Sequence, residues 1–109
     1  MKNMKNLFVL AEVNWKKPEF VNRKINSGKL EYWLNISFED RKDMWSVIMY
    51  LEDLKIERIN KQNSQLVKLC FVAPELVNSF LVEGMKFSLS EGPYPLIGEG
   101  KVVKIQRME

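Results

Sequence analysis

Three pairs of carboxylates, Glu39–Asp40, Glu52–Asp53 and Glu91 with Glu99, are the residue types in this chain suited to acid–base work or a hard-cation site. Carboxylates that converge in a cleft can share protons, flank a glycosidic bond as acid and base, or ligate a divalent ion through oxygen. Each pair instead falls beside a predicted strand end, where charged residues ordinarily mark a solvated turn. The chain has no histidine. That removes the commonest general base, the Ser–His and Cys–His nucleophile pairs, and His-containing metal sites. Its one cysteine, Cys70, can form neither an intramolecular disulfide nor a thiolate zinc site. Set between Leu69 and Phe71 in an apolar run, it reads as a small buried packing residue. No catalytic residue, metal or cofactor is expected.

Binding chemistry is better represented. Trp33 falls on the polar face of an alternating segment, between Glu31 and Asn35. It is either an interface anchor or base-stacking platform, or it is covered by a loop or by the curvature of a barrel. Tyr94 sits between Pro93 and Pro95 at the tip of a turn, a rigid aromatic that loses little entropy on contact, or a structural proline turn. Arg23, Lys24 and Lys29, with Lys16 and Lys17, form a loosely basic N-terminal group that could meet phosphates. Lys68, Lys86, Lys101 and Lys104 alternate with apolar residues, as on the solvated outside of a sheet. Trp15, at the end of an apolar run, reads as a cap on the core.

These residues are carried by 109 positions, enough for one domain with a single core. With 46% hydrophobic and 28% charged residues, the chain is expected to fold rather than remain disordered. Its 17 basic and 14 acidic residues leave a net charge of +3, compatible with a nucleic-acid partner without demanding one. No run of 18 apolar residues suggests a membrane span. The apolar stretch Leu7–Leu10 is too short for a signal-peptide core and is followed by Glu12. A cytoplasmic protein is expected, loosely ordered over residues 1–6 and folded as one domain over 7–109.

Short strands dominate. Leu7–Trp15 is β-rich, whereas Lys16–Lys24, charged and containing Pro18, reads as a loop with an extended segment. Asn26-Ser27-Gly28-Lys29 is a turn. Leu30, Tyr32, Leu34, Ile36 and Phe38 then alternate with Glu31, Trp33, Asn35 and Ser37, the clearest strand in the chain. Met44–Leu54 fits a helical stripe and a strand equally well. After the polar segment Ile59–Ser64, β character returns over Gln65–Ala73 and stops at Pro74. Leu76–Val82 reads as an apolar connection or short strand. Met85, Phe87 and Leu89 alternate with Lys86, Ser88 and Ser90. Glu91-Gly92-Pro93 then breaks the chain before the run framed by Gly98 and Gly100. About six strands with turns roughly every ten residues indicate an all-β barrel or sandwich.

The segment Glu83-Gly84-Met85-Lys86-Phe87-Ser88-Leu89-Ser90-Glu91-Gly92, followed by Ile97-Gly98-Glu99-Gly100-Lys101-Val102-Val103, resembles the last strands of the C-terminal barrel of elongation factor Tu-type translation GTPases. Ala11-Glu12-Val13 looks like the first strand of that domain, and Asn26-Ser27-Gly28 with the strand after it like its second hairpin. The resemblance covers most of residues 7–106 and implies a six-stranded Greek-key β-barrel. It favours the strand alternative for Met44–Leu51. It also implies that the glycines flanking Glu99 serve a close backbone approach or a positive φ.

The departures bear on function. No Gly-x-x-x-x-Gly-Lys-(Ser/Thr) motif is present, so no nucleotide cofactor is expected. Where the family's first loop carries Gly-Gly-Arg-His, this chain has Asn22-Arg23-Lys24. Where its final turn carries a basic residue, this chain has Pro93-Tyr94-Pro95. What the resemblance implies is therefore the scaffold. The expectation is a stand-alone, non-catalytic barrel that binds a protein partner, as an adaptor or a small cognate inhibitor of immunity type, through Trp33 and Tyr94. The alternative is an RNA- or tRNA-binding accessory domain using Arg23, Lys24 and Lys29.

Overall fold

The computed structural model describes residues 6–28, 31–50, 64–92 and 96–108. Its elements are β1 (Asn6–Trp15), α1 (Pro18–Asn26), β2 (Glu31–Phe38), β3 (Met44–Tyr50), β4 (Ser64–Phe71), the single-turn helix α2 (Pro74–Val77), β5 (Lys86–Ser90) and β6 (Leu96–Met108). All strand pairs are antiparallel, and they close into a six-stranded barrel in the order β1-β4-β3-β2-β5-β6. The meander β2-β3-β4 brings β4 back beside β1, while α1 spans the longer crossing from β1 to β2. That is a Greek-key arrangement. Closure leaves no free sheet edge.

Period-two alternation explains the core. Leu7, Val9, Ala11, Val13 and Trp15 of β1 point inward, as do Tyr32, Leu34, Ile36 and Phe38 of β2 and Leu69 and Phe71 of β4. The ambiguous segment after Met44 is a strand whose Val47 and Met49 are buried. Gly98 and Gly100 serve close approach, as expected. A Cβ on Gly100 would lie 2.5 Å from the Glu12 carbonyl oxygen and 2.8 Å from Phe87, and one on Gly98 would lie 3.0 Å from the Trp15 ring. Neither has a positive φ. Between Leu10 and Ala11 the β1–β6 register slips, so that Leu10 meets Lys104 while Ala11 meets Val102, leaving Val103 exposed on the outside.

The structure corrects one expectation of local structure. Lys16–Lys24 is not an extended loop, because Pro18–Asn26 forms α1. Pro18 opens the helix, where its missing N–H costs nothing; Glu19 lies in the first turn and Arg23 and Lys24 in the last, complementing the helix dipole. Of the two readings of Leu76–Val82 the connection holds: no strand forms there, and Leu76 and Val77 complete the helical turn α2, with Pro74 again at its start. Among the described residues no helix is long and apolar enough to cross a membrane.

Candidate functional site

Trp33 is exposed: 54% of its surface is open on the outside of β2, and its indole N–H donates to Glu31 Oε1 at 3.2 Å. Barrel curvature does not bury it. The register places Trp33 opposite Ile48 of β3, Ile48 opposite Cys70 of β4, and Cys70 opposite Phe8 of β1. An aromatic and aliphatic row therefore wraps the outer wall across four adjacent strands. Val72 and Leu66, both exposed on the β4 side, extend it up and down the wall. Lys68 Nζ lies 4.2 Å from the centroid of the Phe8 ring and covers it with a cation. Cys70 is not a core residue but a half-buried member of this outer row. Burial raises its thiol pKa, with Lys68 opposing, so it stays protonated at neutral pH.

Arg23 and Lys24 come together on the last turn of α1, which lies over the end of the barrel formed by the C-terminus of β1 and the N-terminus of β2. With Phe20, Ser27 and Glu91 they line a groove of about 170 Å³. Arg23 stacks 5.0 Å from the Phe20 ring centroid, and Lys17 lies 5.7 Å from the same ring. Lys24 Nζ is 3.9 Å from Glu91 Oε2 and 5.4 Å from the Tyr32 ring centroid. Behind this pair, burial and then the Glu91 carboxylate push the Tyr32 phenol far above the ordinary tyrosine range, so it remains a hydroxyl. Lys16 pairs with Glu99 at 3.1 Å, both about half exposed. Lys29 and Tyr94 lie outside the described residues, as do Glu52 and Asp53.

Among the described residues the other carboxylates assemble no site. Glu91 and Glu99 each meet a different lysine. Glu39 and Asp40 border an open cavity of about 300 Å³ at the opposite end of the barrel, with Lys86 on the same wall. Among the described residues no group of three metal-ligating side chains comes together. That end is plugged by aromatics: Phe38 lies 5.7–6.4 Å, centroid to centroid, from Trp45, Phe71, Phe80 and Phe87, and Arg41 caps Phe80 at 3.7 Å.

Sequence reasoning isolated Trp33 and missed its neighbours Phe8, Ile48, Cys70 and Val72. The signal was available in the unbroken apolar runs Leu7–Leu10 and Leu69–Val72. In a barrel one sheet thick only alternate residues can face the core, so a strand without alternation must carry apolar side chains outside as well. No family model, no curated protein and no solved structure matches the chain.

Proposed function

We propose that this chain is a non-catalytic binding module whose outer barrel wall docks onto a protein, in the manner of an adaptor or a small cognate inhibitor, on a barrel of the elongation factor Tu C-terminal type. The observation that carries this is the exposed Trp33 at one end of the row Ile48–Cys70–Phe8. A large aromatic held by a hydrogen bond to its neighbour loses little side-chain freedom on binding, and tryptophan is enriched among residues that dominate interface energetics. Because the row follows a convex wall, its complement is a concave apolar groove on the partner. Work in the reducing cytoplasm, with no nucleotide or other cofactor, belongs to the same proposal.

RNA binding through α1 ranks second. Arg23 and Lys24 do gather on α1 with Lys17 just before it, yet Arg23 and Lys17 already stack on Phe20 and Lys24 already faces Glu91. Co-purification of the tagged full chain from its native lysate, with and without ribonuclease and at low and raised salt, separates the two. A stoichiometric protein that survives both treatments supports the outer-wall proposal. Nucleic acid that is lost on nuclease treatment or at raised salt would overturn it, since phosphate contacts weaken steeply with ionic strength.

A further inference from the structure

The outer wall that carries Trp33 is flanked by positive charge on one side only. One row along from Trp33–Ile48–Cys70–Phe8, the register sets Lys68 of β4 opposite Leu10 of β1, and Leu10 opposite Lys104 of β6. A further row along, Lys101 of β6 stands opposite Glu12 of β1 and, on its other side, opposite Lys86 of β5. The opposite flank of the Trp33 row is neutral: Asn35 pairs with Ser46, whose carbonyl accepts the Val72 N–H. Residues directly opposite in an antiparallel pair share a face with Cβ atoms about 4.5–5.5 Å apart, and like charges so placed repel. Lys86 and Lys101 are such a pair, both exposed. Among the described residues no carboxylate forms an ion pair with Lys68, Lys86, Lys101 or Lys104. Protection of a free edge, a common reason for lysines on a strand, does not account for them, because the barrel is closed.

Charge complementarity then sets the chemistry of whatever covers the wall. Lysines without acidic partners beside an apolar row suit a surface that carries carboxylates next to apolar side chains. A nucleic acid matches less well, because its phosphates recur uniformly along the strand. Here Glu12 stands beside Lys101, and Glu31 accepts the Trp33 indole N–H, which puts a carboxylate at the ring where a base would stack. A polypeptide can place its carboxylates against the lysines and keep them away from Glu31.

We propose that the protein docking on the outer wall is acidic on one side of its contact surface. Its apolar side chains cover the Trp33 row, and its carboxylates meet Lys68, Lys104 and Lys101 along β4, β1 and β6. This inference rests on the outer-wall reading above and adds to it the sign and the side of the partner's charge.

The probes are a random copolymer of glutamate and tyrosine, polyglutamate, a copolymer of lysine and tyrosine, and polyuridylate. Each is titrated at low salt into the ¹⁵N-labelled full chain, and the indole N–H resonance of Trp33, identified by Trp33→Phe, reports engagement of the wall. The glutamate–tyrosine copolymer should shift that resonance saturably and bind more tightly than polyglutamate, while the lysine–tyrosine copolymer leaves it in place. A triple Lys68→Gln, Lys101→Gln, Lys104→Gln variant, its fold confirmed by circular dichroism, should bind the acidic copolymer about tenfold more weakly, the summed loss of three exposed ion pairs. The double Arg23→Gln, Lys24→Gln variant, which removes charge from α1 alone, should bind it like the wild type. Equal binding of the two copolymers, or of the triple variant and the wild type, overturns the acidic partner and leaves the outer-wall reading standing. No shift of Trp33 with either copolymer also overturns this inference, and it removes the outer-wall reading as well if capture from lysate proves insensitive to Trp33→Ala. Polyuridylate as the tightest ligand at Trp33 overturns both in favour of nucleic acid.

Discussion

Gln65→Met should make this protein more stable, which is unusual for a substitution at a buried position. Gln65 is 5% exposed, and among the described residues neither its Oε1 nor its Nε2 has a hydrogen-bond partner. A buried amide in that state costs about 1–3 kcal/mol relative to an apolar group of similar shape. Methionine matches the length of glutamine, adapts to irregular space and brings no polar atom. Its neighbours along the inner face of β4 are Val67, Leu69 and Phe71, so the new thioether enters an apolar setting. The expected gain is about 1–2 kcal/mol, and each kcal/mol raises the melting temperature of a domain this size by roughly 4–8 °C. Urea unfolding followed by far-ultraviolet circular dichroism and by tryptophan fluorescence measures it. The midpoint should rise at an unchanged slope, because the same surface is exposed on unfolding. A loss of about 1 kcal/mol or more would refute the reasoning, since it would mean that the amide makes bonds worth more than its burial costs.

Other outcomes follow from the same geometry. Gly100→Ala should destabilise the fold by about 2–3 kcal/mol in the same urea assay, because its Cβ would meet backbone at 2.5 Å and Phe87 at 2.8 Å, leaving overpacking as the only resolution. The Tyr32 phenol is raised above its ordinary value of 10.0, so the folded state holds that proton more tightly than the unfolded chain does. Its contribution is then fully present below pH 10.0 and is lost as pH rises above it. Ultraviolet titration should show tyrosinate from Tyr32 only on unfolding, and a Tyr32→Phe variant should flatten the alkaline loss of stability. The Cys70 thiol should react more slowly with a disulfide reagent at neutral pH than free cysteine does, because burial raises its pKa and half covers the sulfur. Trp33→Ala should change stability by no more than about 0.5 kcal/mol in thermal melts, as is usual for an exposed side chain outside the core.

Alternation made much of the fold legible. Tyr32 to Phe38 and Met85 to Leu89 carry the period of two on which the barrel is built, and their inward residues are the observed core. The glycines around Glu99 announced a close approach of backbone, although not which carbonyl they approach. Pro18 misled, because proline disrupts a helix interior but favours its first turn, and only Glu19 after it and Arg23 and Lys24 later distinguish the two. Cys70 was placed inside because an apolar run was read as buried on both faces, a rule for sheets covered on both sides rather than for a single-layer barrel. At the candidate sites, the sequence pointed to Trp33 and to the Arg23–Lys24 pair. The buried polar groups at the α1 end were invisible, because Trp15, Tyr32, Gln65 and Glu91 are scattered along the chain and only barrel closure brings their strand ends together.

The proposal that the outer wall binds protein is tested most directly by comparing capture from native lysate, after ribonuclease treatment, by the wild-type chain, by Trp33→Ala and by a double Arg23→Ala, Lys24→Ala variant. Trp33 is the exposed member of the outer row Trp33–Ile48–Cys70–Phe8, while the two cations lie on α1. The account predicts one stoichiometric protein that binds the wild type and the double variant equally and is lost with Trp33→Ala, by about 2 kcal/mol or more if Trp33 is an anchor. A partner retained by Trp33→Ala and released by the double variant would contradict it.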